Sequence, residues 1–339
     1  MRGWMCHLLH PERVASVMPS DTRLPVRPSA RRRRELASVA LVATAALAAT
    51  PFVARMAPFG LSRENAAASA ALAAVPATSV LETAAKAVAG NGRHLGFDTH
   101  SYPGDRAMKA WRASDANYEW VGYYLPAPCH KDDSWSGTRE RLAEMDWGVA
   151  VIYVGQQTWT DPAHRSRMTK AELARAERNG ATCLPSFVDG ERGRAEGADA
   201  VARTAAEGFP VGTVIYLDLE RMEIVPPHMR DYYREWVARV LEDGRFVPGV
   251  YVHTHNAKVV YRDVRGQYAA AGIDADPPFW VAGGSGFDRD RDPADVGHTF
   301  AQAWQGVLDV VEKRNGFRMP IDVNVASVPS PSGVVALAD

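Results

Sequence analysis

Apolar and polar positions alternate in two different ways along the chain from about His94 onward. Short runs rich in β-branched and aromatic residues predict strands at 94–100, 118–125, 148–155, 212–219, 248–254, 278–283, 299–305 and 320–325. Stretches of helical composition between them predict helices at 105–113, 137–145, 169–178, 194–207, 229–243 and 256–271. Strands that alternate with helices are typical of a parallel sheet covered by helices, and a closed barrel of this kind requires eight strands. The pattern therefore predicts an α/β fold with a single (β/α)8 TIM-type barrel.

Two regions depart from this regular alternation. The late connections at 285–297 and 306–317 are rich in Gly and Asp, so we expect the barrel to be irregular there. Between Gln156 and Gly190 the chain carries an insertion, within which residues 181–188 are predicted as an additional short strand. Loops at the carboxyl ends of barrel strands usually determine specificity, so the insertion is predicted to form a wall of the substrate site.

Four acidic residues lie on strand faces that a barrel turns inward. Successive strand side chains point to opposite faces, so Asp218 and Glu220 share a face opposite the aliphatic residues of their strand. The same alternation turns Asp98 of the first strand and Asp322 of the eighth strand inward, and these two strands are neighbours in a closed barrel. Each acid alone has a structural explanation, since a strand-end Asp often caps the next helix. Four together predict a functional cleft, because burying charges without a purpose is costly.

Aromatic and polar side chains at other strand positions are the predicted sugar contacts. Sugar rings stack their C–H faces on aromatic rings, and their hydroxyl groups form hydrogen bonds with polar side chains. The candidates are Tyr153, Gln156, Tyr251, His253, Trp280, Gln302, Trp304 and Asn324. With the acids, they indicate a site for a polysaccharide.

A different kind of site is suggested by His253 and His255, which are separated by one residue. Both rings would lie on one face of the fifth strand, and Asp218, Glu220 or His298 would complete a metal site. We rank this metal-dependent hydrolase below the glycan site, because a single strand His is more often a substrate contact. The prediction is therefore a site without a metal or a cofactor.

Charge is distributed unevenly along the chain. The 339 residues carry a net charge of −1, yet residues 1–54 hold eight Arg against three acidic residues, a charge of +5 that leaves −6 for the rest. A mildly acidic body argues against nucleic acid as a partner. The hydrophobic content of 46% is ample for one full core, and we expect a monomer.

Residues 1–54 have the features of an export signal. Four arginines, Arg31–Arg34, precede an uncharged Ala-rich run that ends before Pro51. Arg33-Arg34-Glu35-Leu36 loosely resembles the twin-arginine export motif. The alternative is an uncleaved membrane anchor, since the run approaches the length that spans a bilayer. Either route predicts a secreted or envelope-associated protein that meets the membrane only through this segment.

The remaining chain divides into three predicted segments. Residues 55–92 are rich in Ala with scattered Ser, Thr and Pro, and are predicted to form a linker with one helix near 80–89. The barrel is predicted to span residues 93–328, and a tail follows at 329–339.

Two cysteines remain once Cys6 in the leader is set aside. Cys129 and Cys183 are an even pair in a chain predicted to reach an oxidising compartment. They form either a disulfide or two unpaired small core residues, and the sequence leaves both alternatives open.

Five runs occur along the chain in the order found in a known family. They are Gly96–Thr99, Val121–Leu125, Val151–Gln157, Gly212–Glu220 and Pro248–Tyr251. They resemble the glycoside-hydrolase-like domain first catalogued as domain of unknown function 1906, which occurs in exported actinobacterial proteins and is similar to the family 25 lysozymes. The resemblance covers about residues 94–326.

This resemblance implies roles for the four acids. In family 25, acids stand at the end of the first strand, in an Asp-x-Glu on a middle strand and near the last strand. These positions correspond to Asp98, to Asp218 with Glu220, and to Asp322. Glu220 would be the general acid, Asp218 would stabilise an oxocarbenium-like state or orient a substrate amide, and Asp98 and Asp322 would tune proton affinity or position water. Neighbouring carboxylates independently favour one raised pKa among the four.

The sequence thus predicts an exported barrel that acts on cell-wall glycan, with peptidoglycan the first candidate substrate. Its activity would be that of a lysozyme-like glycoside hydrolase of the muramidase type. The alternative is a non-catalytic barrel that binds envelope glycan and has lost turnover.

Overall fold

The computed structural model describes residues 77–158 and 169–333. The predicted leader at 1–54, the greater part of the predicted linker, and parts of the insertion and of the tail lie outside the described residues. Within the described ranges, no helix combines the length and the apolar character needed to cross a membrane.

Eight strands alternate with helices along the described chain. The strands are β1 (His94–Asp98), β2 (Trp120–Tyr124), β3 (Gly148–Val154), β4 (Val214–Leu219), β5 (Val247–His253), β6 (Phe279–Ala282), β7 (Ala301–Arg314) and β8 (Phe317–Ala326). The helices are α1 (Ala77–Ala87), α2 (Asp105–Arg112), α3 (Arg139–Glu144), α4 (Lys170–Arg178), α5 (Gly190–Ala206), α6 (Pro227–Asp243) and α7 (Thr254–Ala270). Short 3-10 helices lie at Pro185–Phe187 and Pro293–Val296.

The eight strands close into a barrel, because each pairs with the next and β8 pairs with β1. The predicted α/β barrel is confirmed. β1 to β7 run parallel, and their carboxyl ends form one end of the barrel, called here the barrel mouth. β8 runs antiparallel to both β7 and β1, unlike the last strand of a regular (β/α)8 barrel. A two-residue turn at Asn315 and Gly316, both with positive φ, joins β7 directly to β8 and so requires this direction.

The insertion after β3 differs from its prediction. The expected strand at 181–188 is wrong, since the segment contains the 3-10 helix Pro185–Phe187 instead. Pro185 has no N–H to offer a strand ladder, and the Phe187 N–H bonds back to the Leu184 carbonyl. A disulfide joins Cys129 to Cys183 and ties the insertion to the loop after β2.

Large aromatic side chains fill the barrel below its mouth. Trp280 of β6 lies edge-on to Trp120 of β2 and to Tyr216 of β4, with ring centroids 5.4 and 5.9 Å apart. Glycine is required at position 96 of β1, because a Cβ there would lie 2.2 Å from the Trp120 ring. The interior is therefore a packed core, and a substrate can approach the inward residues only at the mouth.

The opposite end of the barrel is closed by α1 and by residues 327–333. Leu81 and Ala85 of α1 are buried, and the Ser327 hydroxyl donates to the Val88 carbonyl at 3.0 Å. Ser332 accepts a hydrogen bond from the Val151 N–H of β3 at 2.7 Å and donates one to the Val214 carbonyl of β4 at 2.7 Å. The folded unit thus includes residues on both sides of the predicted range 93–328.

Candidate active site at the barrel mouth

Four acidic side chains meet at the barrel mouth. Asp98 is the last residue of β1, and its Cα is paired in register with that of Asp322 on β8. Asp218 lies one residue before the end of β4, and Glu220 follows the strand directly. Asp98 acts electrostatically on both Asp218 and Glu220 and raises the pKa of each. The structure therefore brings together the acids of three strands that are far apart in sequence.

Asp98 is held by three hydrogen-bond donors. Its Oδ1 accepts from the Tyr124 hydroxyl at 2.8 Å, and its Oδ2 accepts from Gln305 Nε2 at 2.8 Å and from Asn324 Nδ2 at 2.9 Å. Burial raises the pKa of Asp98, while the three donors oppose that rise because they stabilise the carboxylate. The orientation of this carboxyl group is consequently fixed from β2, β7 and β8 at once.

A second layer of contacts fixes the donors themselves. Asn324 Oδ1 accepts from the Trp280 Nε1 at 3.1 Å, and Gln305 Oε1 accepts from the Tyr251 hydroxyl at 2.6 Å. The remaining acid of the mouth, Asp322, accepts at Oδ1 from the Asp309 backbone N–H at 2.7 Å. Because each amide is bonded at both ends, its orientation toward Asp98 is determined.

Asp218 has a different environment. It is 8% exposed, and its Oδ1 is buried with no hydrogen-bond partner in the described part of the chain. Burial raises the pKa of Asp218 well above its ordinary range, and the neighbouring Glu220 and Asp98 raise it further. Such a group can hold a proton or accept a hydrogen bond that the protein does not supply.

Glu220 has the pKa expected of a general acid near neutral pH. Burial raises the pKa of Glu220 to about 7, and Asp98 adds to the rise, while a hydrogen bond from the Arg221 backbone opposes it. About half of such carboxyl groups carry a proton at neutral pH. The mouth therefore combines a proton donor with a fixed carboxylate, the equipment required to cleave a glycosidic bond.

Three residues that the sequence reasoning did not select complete the site. Tyr124 and Gln305 hold Asp98. Gln157 joins the backbone groups of Asp218 and Glu220 through its side chain. The inward position of Tyr124 can be predicted from the sequence, because strand alternation places Tyr124 on the same face as Gly122 and Trp120, inside the barrel.

Two predicted sugar contacts on and after β3 lie outside the mouth. The register pairs Val154 with Asp218 and Tyr153 with Leu217, so Tyr153 faces the helices, where its hydroxyl donates to Asp199 of α5 at 2.9 Å. The chain leaves β3 before Gln156, whose side chain is fully buried and bonds to the Thr182 carbonyl and to Glu196. Both predictions are corrected: these residues support the outer wall of the barrel.

Two predicted contacts on β7 are also misplaced, because a register shift lies between β6 and β7. Trp280 pairs with Ala303 and Ala282 pairs with Gln305, so Gln305 faces the mouth and Trp304 faces outward beneath the loop between β6 and β7. Gln302 lies at the shift, and its carbonyl accepts from the Ser327 N–H at the end opposite the mouth. Both predictions are corrected: the structure does not place Gln302 or Trp304 among the residues that face the mouth.

The remaining candidates divide into buried and accessible residues. Trp280 is 1% exposed and Asn324 is fully buried, so both are corrected from sugar contacts to residues that support the mouth from below. Tyr251 and His253 point inward from β5 and keep part of their surface exposed. These two side chains are the predicted contacts that a substrate can reach.

The histidine pair does not share a strand face. β5 ends at His253, whose Nδ1 accepts from the His255 N–H as the cap of α7, and His255 lies on the first turn of that helix. His255 Nε2 instead contacts the Glu223 carbonyl at 3.0 Å, and His298 contacts Thr254. Across residues 77–158 and 169–333, no cluster of three His, Cys, Asp or Glu side chains is arranged to hold a metal ion.

An α/β barrel with this acidic mouth belongs to the class of glycoside-hydrolase-like domains. The chain is a member of the family described as "Rv2525c-like, glycoside hydrolase-like domain", whose model matches residues 109–326. The matched range contains Asp218, Glu220 and Asp322, and begins after Asp98. The chain has no match among curated proteins.

Solved structures with a similar fold come from several bacteria. An uncharacterized protein of B. stearothermophilus is 15% identical over 69% of this chain and 95% of its own, with a TM-score of 0.44. The spore cortex lytic enzyme SleM of Clostridium perfringens is 12% identical over 69% of this chain and 67% of its own, with a TM-score of 0.41. GHIP, a glycosyl hydrolase 25 of Streptococcus pneumoniae, is 13% identical over 74% of this chain and 92% of its own, with a TM-score of 0.40.

Proposed function

We propose that this protein is an exported glycoside hydrolase that cleaves cell-wall glycan, with peptidoglycan as its substrate and Glu220 as its general acid. The observation that carries the proposal is the Glu220 carboxyl group, half-buried at the mouth of a glycoside-hydrolase-like barrel with a pKa of about 7 and with other carboxyl groups beside it. The choice of peptidoglycan follows from the resemblance of the sequence to the family 25 lysozymes.

The proposed reaction uses the four acids in different ways. Protonated Glu220 donates its proton to the glycosidic oxygen, the bond from that oxygen to the anomeric carbon breaks, and the leaving sugar departs as an alcohol. Positive charge then develops on the sugar ring, and the fixed carboxylate of Asp98 stabilises that charge. Asp218, whose environment favours its protonated form, orients the substrate amide. A water molecule adds to the anomeric carbon and its proton returns to the carboxylate of Glu220. Asp322, which lies beside Asp98 on β8, positions the attacking water or tunes the proton affinity of the other acids.

The experiment that tests the proposal compares the wild type with Glu220→Gln on purified cell-wall preparations. Glutamine keeps the size of the side chain and removes the proton, so we expect the release of reducing sugar ends to fall by about 100-fold or more. The wild-type rate should decline above about pH 7, where Glu220 loses its proton.

The matched control is Glu223→Gln, three residues further along the same loop. The Glu223 side chain is exposed and pairs with Arg221 at 3.4 Å, so this variant should keep wild-type activity. A wild type that sediments with cell walls and releases no sugar from any of them would overturn the hydrolase and support the non-catalytic glycan-binding barrel.

A further inference from the structure

The backbone ladder between β3 and β4 ends below Glu220. The last register pair joins Val154 to Asp218. Beyond it, the Gln156 N–H donates to the Tyr232 hydroxyl of α6 at 3.0 Å, away from β4. The backbone of β3 therefore offers no partner to the end of β4 that carries the proposed general acid.

The side chain of Gln157 takes the place of the missing backbone partner. Its Nε2 donates to the Asp218 carbonyl at 2.8 Å, and its Oε1 accepts from the Glu220 N–H at 3.1 Å. One amide thus makes the two bonds that the N–H and C=O of a single residue in a neighbouring parallel strand would make. Gln157 is 2% exposed, so water does not compete freely for these bonds.

We propose that Gln157 is the positioning residue for the general acid: its amide joins the Asp218 carbonyl to the Glu220 N–H and holds the Glu220 carboxyl group inside the mouth. The inference rests on the proposed function, because it assigns a role relative to Glu220. Gln157 itself acts through the backbone, and nothing in the role requires it to contact substrate.

The depth of Glu220 in the mouth depends on its backbone, because Glu220 is the first residue after β4. Without the Gln157 amide, the end of β4 keeps its pairing with β5 but loses its support on the side of β3. The Glu220 carboxyl group then gains water, which favours its ionised form. The groups facing Glu220 are Asp218 on its own strand, Asp98 and Asp322 across the mouth, and the side chains of Tyr251 and His253 on β5. Since the Asp98 carboxylate also raises the pKa of Glu220, movement away from Asp98 lowers that pKa further.

The adjacent residue provides a matched control. Gln156 is also a fully buried glutamine, and its side chain makes hydrogen bonds to the Thr182 carbonyl, to Glu196 and to the Leu184 N–H. These bonds hold the insertion and α5 rather than β4. Gln156→Met and Gln157→Met should therefore both destabilise the protein, but only the second should act on Glu220.

The test measures the titration of Glu220 directly by carbon NMR of protein labelled at glutamate carboxyl carbons. The signal of Glu220 is assigned by its loss in Glu220→Gln. We expect the pKa of Glu220 to fall by at least one pH unit in Gln157→Met and to stay at the wild-type value in Gln156→Met. At pH 7 a fall of one unit lowers the protonated fraction from half to about a tenth, so kcat should drop about fivefold with KM little changed.

A second variant keeps the test decisive if Gln157→Met does not fold. Gln157→Asn retains an amide but is one methylene shorter, so it can reach one of the two backbone groups and should give an intermediate pKa. The positioning role is overturned if the foldable Gln157 variants titrate Glu220 as Gln156→Met does. If the wild type lacks hydrolase activity, the proposed function fails while the NMR comparison still decides the role of Gln157.

Discussion

Asp98 and Asp218 share the barrel mouth but have opposite hydrogen-bond environments. Both oxygens of Asp98 accept bonds, from Tyr124, Gln305 and Asn324, whereas Asp218 Oδ1 is buried without a partner in the described residues. Several donors stabilise a carboxylate, and their absence favours the protonated form. The environments therefore favour Asp98 as the fixed negative charge and leave Asp218 available to a substrate group.

The raised pKa of Glu220 also makes the stability of the protein depend on pH. The pKa of Glu220 is about 7 in the folded protein and 4.5 in an unfolded chain, so the folded state binds the proton more tightly. The resulting stabilisation is fully present below about pH 4.5 and is lost as the pH rises through 7. Each unit of difference between the two pKa values corresponds to about 1.4 kcal/mol. The ionisation of Glu220 therefore lowers the free energy of unfolding by about 3 kcal/mol between pH values well below 4.5 and well above 7.

Glu220→Gln should remove this contribution. We expect the variant to match the wild type in free energy of unfolding at pH 4.5 and to exceed it at pH 8, as measured by urea denaturation at both values. Glu223→Gln, in an exposed position, should follow the wild-type pH dependence. An equal loss of stability from pH 4.5 to pH 8 in Glu220→Gln and wild type would contradict the buried position of this carboxyl group.

Among the elements, the β7–β8 hairpin does most to shape the mouth. Its antiparallel second strand brings the middle of β8 level with the end of β1, so Asp322 faces Asp98 although it is not at a strand end. The Asn315-Gly316 turn is a strong local signal for such a hairpin, and it lies within the connection 306–317, where the sequence predicts an irregular barrel. The same hairpin supplies Gln305 and Asn324, which hold Asp98.

The segment after β8 is an element of the fold as well. Ser332 is fully buried and satisfies the Val151 N–H and the Val214 carbonyl, which belong to two neighbouring barrel strands. Ser332→Ala leaves both groups buried without these partners, so we expect the free energy of unfolding to fall by about 2–4 kcal/mol. Thermal and urea denaturation of the otherwise unchanged chain measures the loss.

The control for this prediction is Ser136→Ala, at an exposed position in the turn before α3. Its effect on stability should stay within about 0.5 kcal/mol of zero. A Ser332→Ala protein as stable as Ser136→Ala would mean that residues 327–333 do not close the barrel in solution.

Over the full chain, the charge distribution, the predicted export signal and the disulfide are all consistent with a protein that resides in an oxidising compartment outside the cytoplasm. The first 54 residues carry a charge of +5 and the predicted export signal, while the rest of the chain carries −6. The barrel contains a disulfide between residues separated by 54 positions, Cys129 and Cys183. Disulfides of this kind persist where thiols are not kept reduced. We therefore propose export of the barrel by the leader.

Replacing Arg33 and Arg34 together by Lys should block export if the twin-arginine motif is used. The wild-type protein is expected in the cell envelope or medium with Cys129 and Cys183 resistant to thiol alkylation, and the variant inside the cell with both thiols reactive. Sequencing the amino terminus of the exported protein distinguishes cleavage from anchoring. Wild-type protein found inside the cell with free thiols would refute the proposed route.

Local patterns in the amino-acid sequence are sufficient to predict the barrel and its acids. Strand and helix composition and the two-residue period of a strand are local properties, and they located eight strands and turned Asp98, Asp218 and Asp322 inward. Glu220 followed from the same alternation. These predictions needed no information about contacts between distant parts of the chain.

Which other residues reach the mouth depends on long-range pairing between strands. Tyr153 faces outward because β3 is registered against β4, and Trp304 does so because the register shifts between β6 and β7. Gln157 rather than Gln156 meets β4, because the chain leaves the sheet after Val154. The Gln156 N–H then points to Tyr232 of α6, while the Gln157 side chain returns to the Asp218 carbonyl. Register, strand direction and the path of a loop depend on pairing with residues far away in sequence, and a single sequence does not contain that pairing as a local pattern.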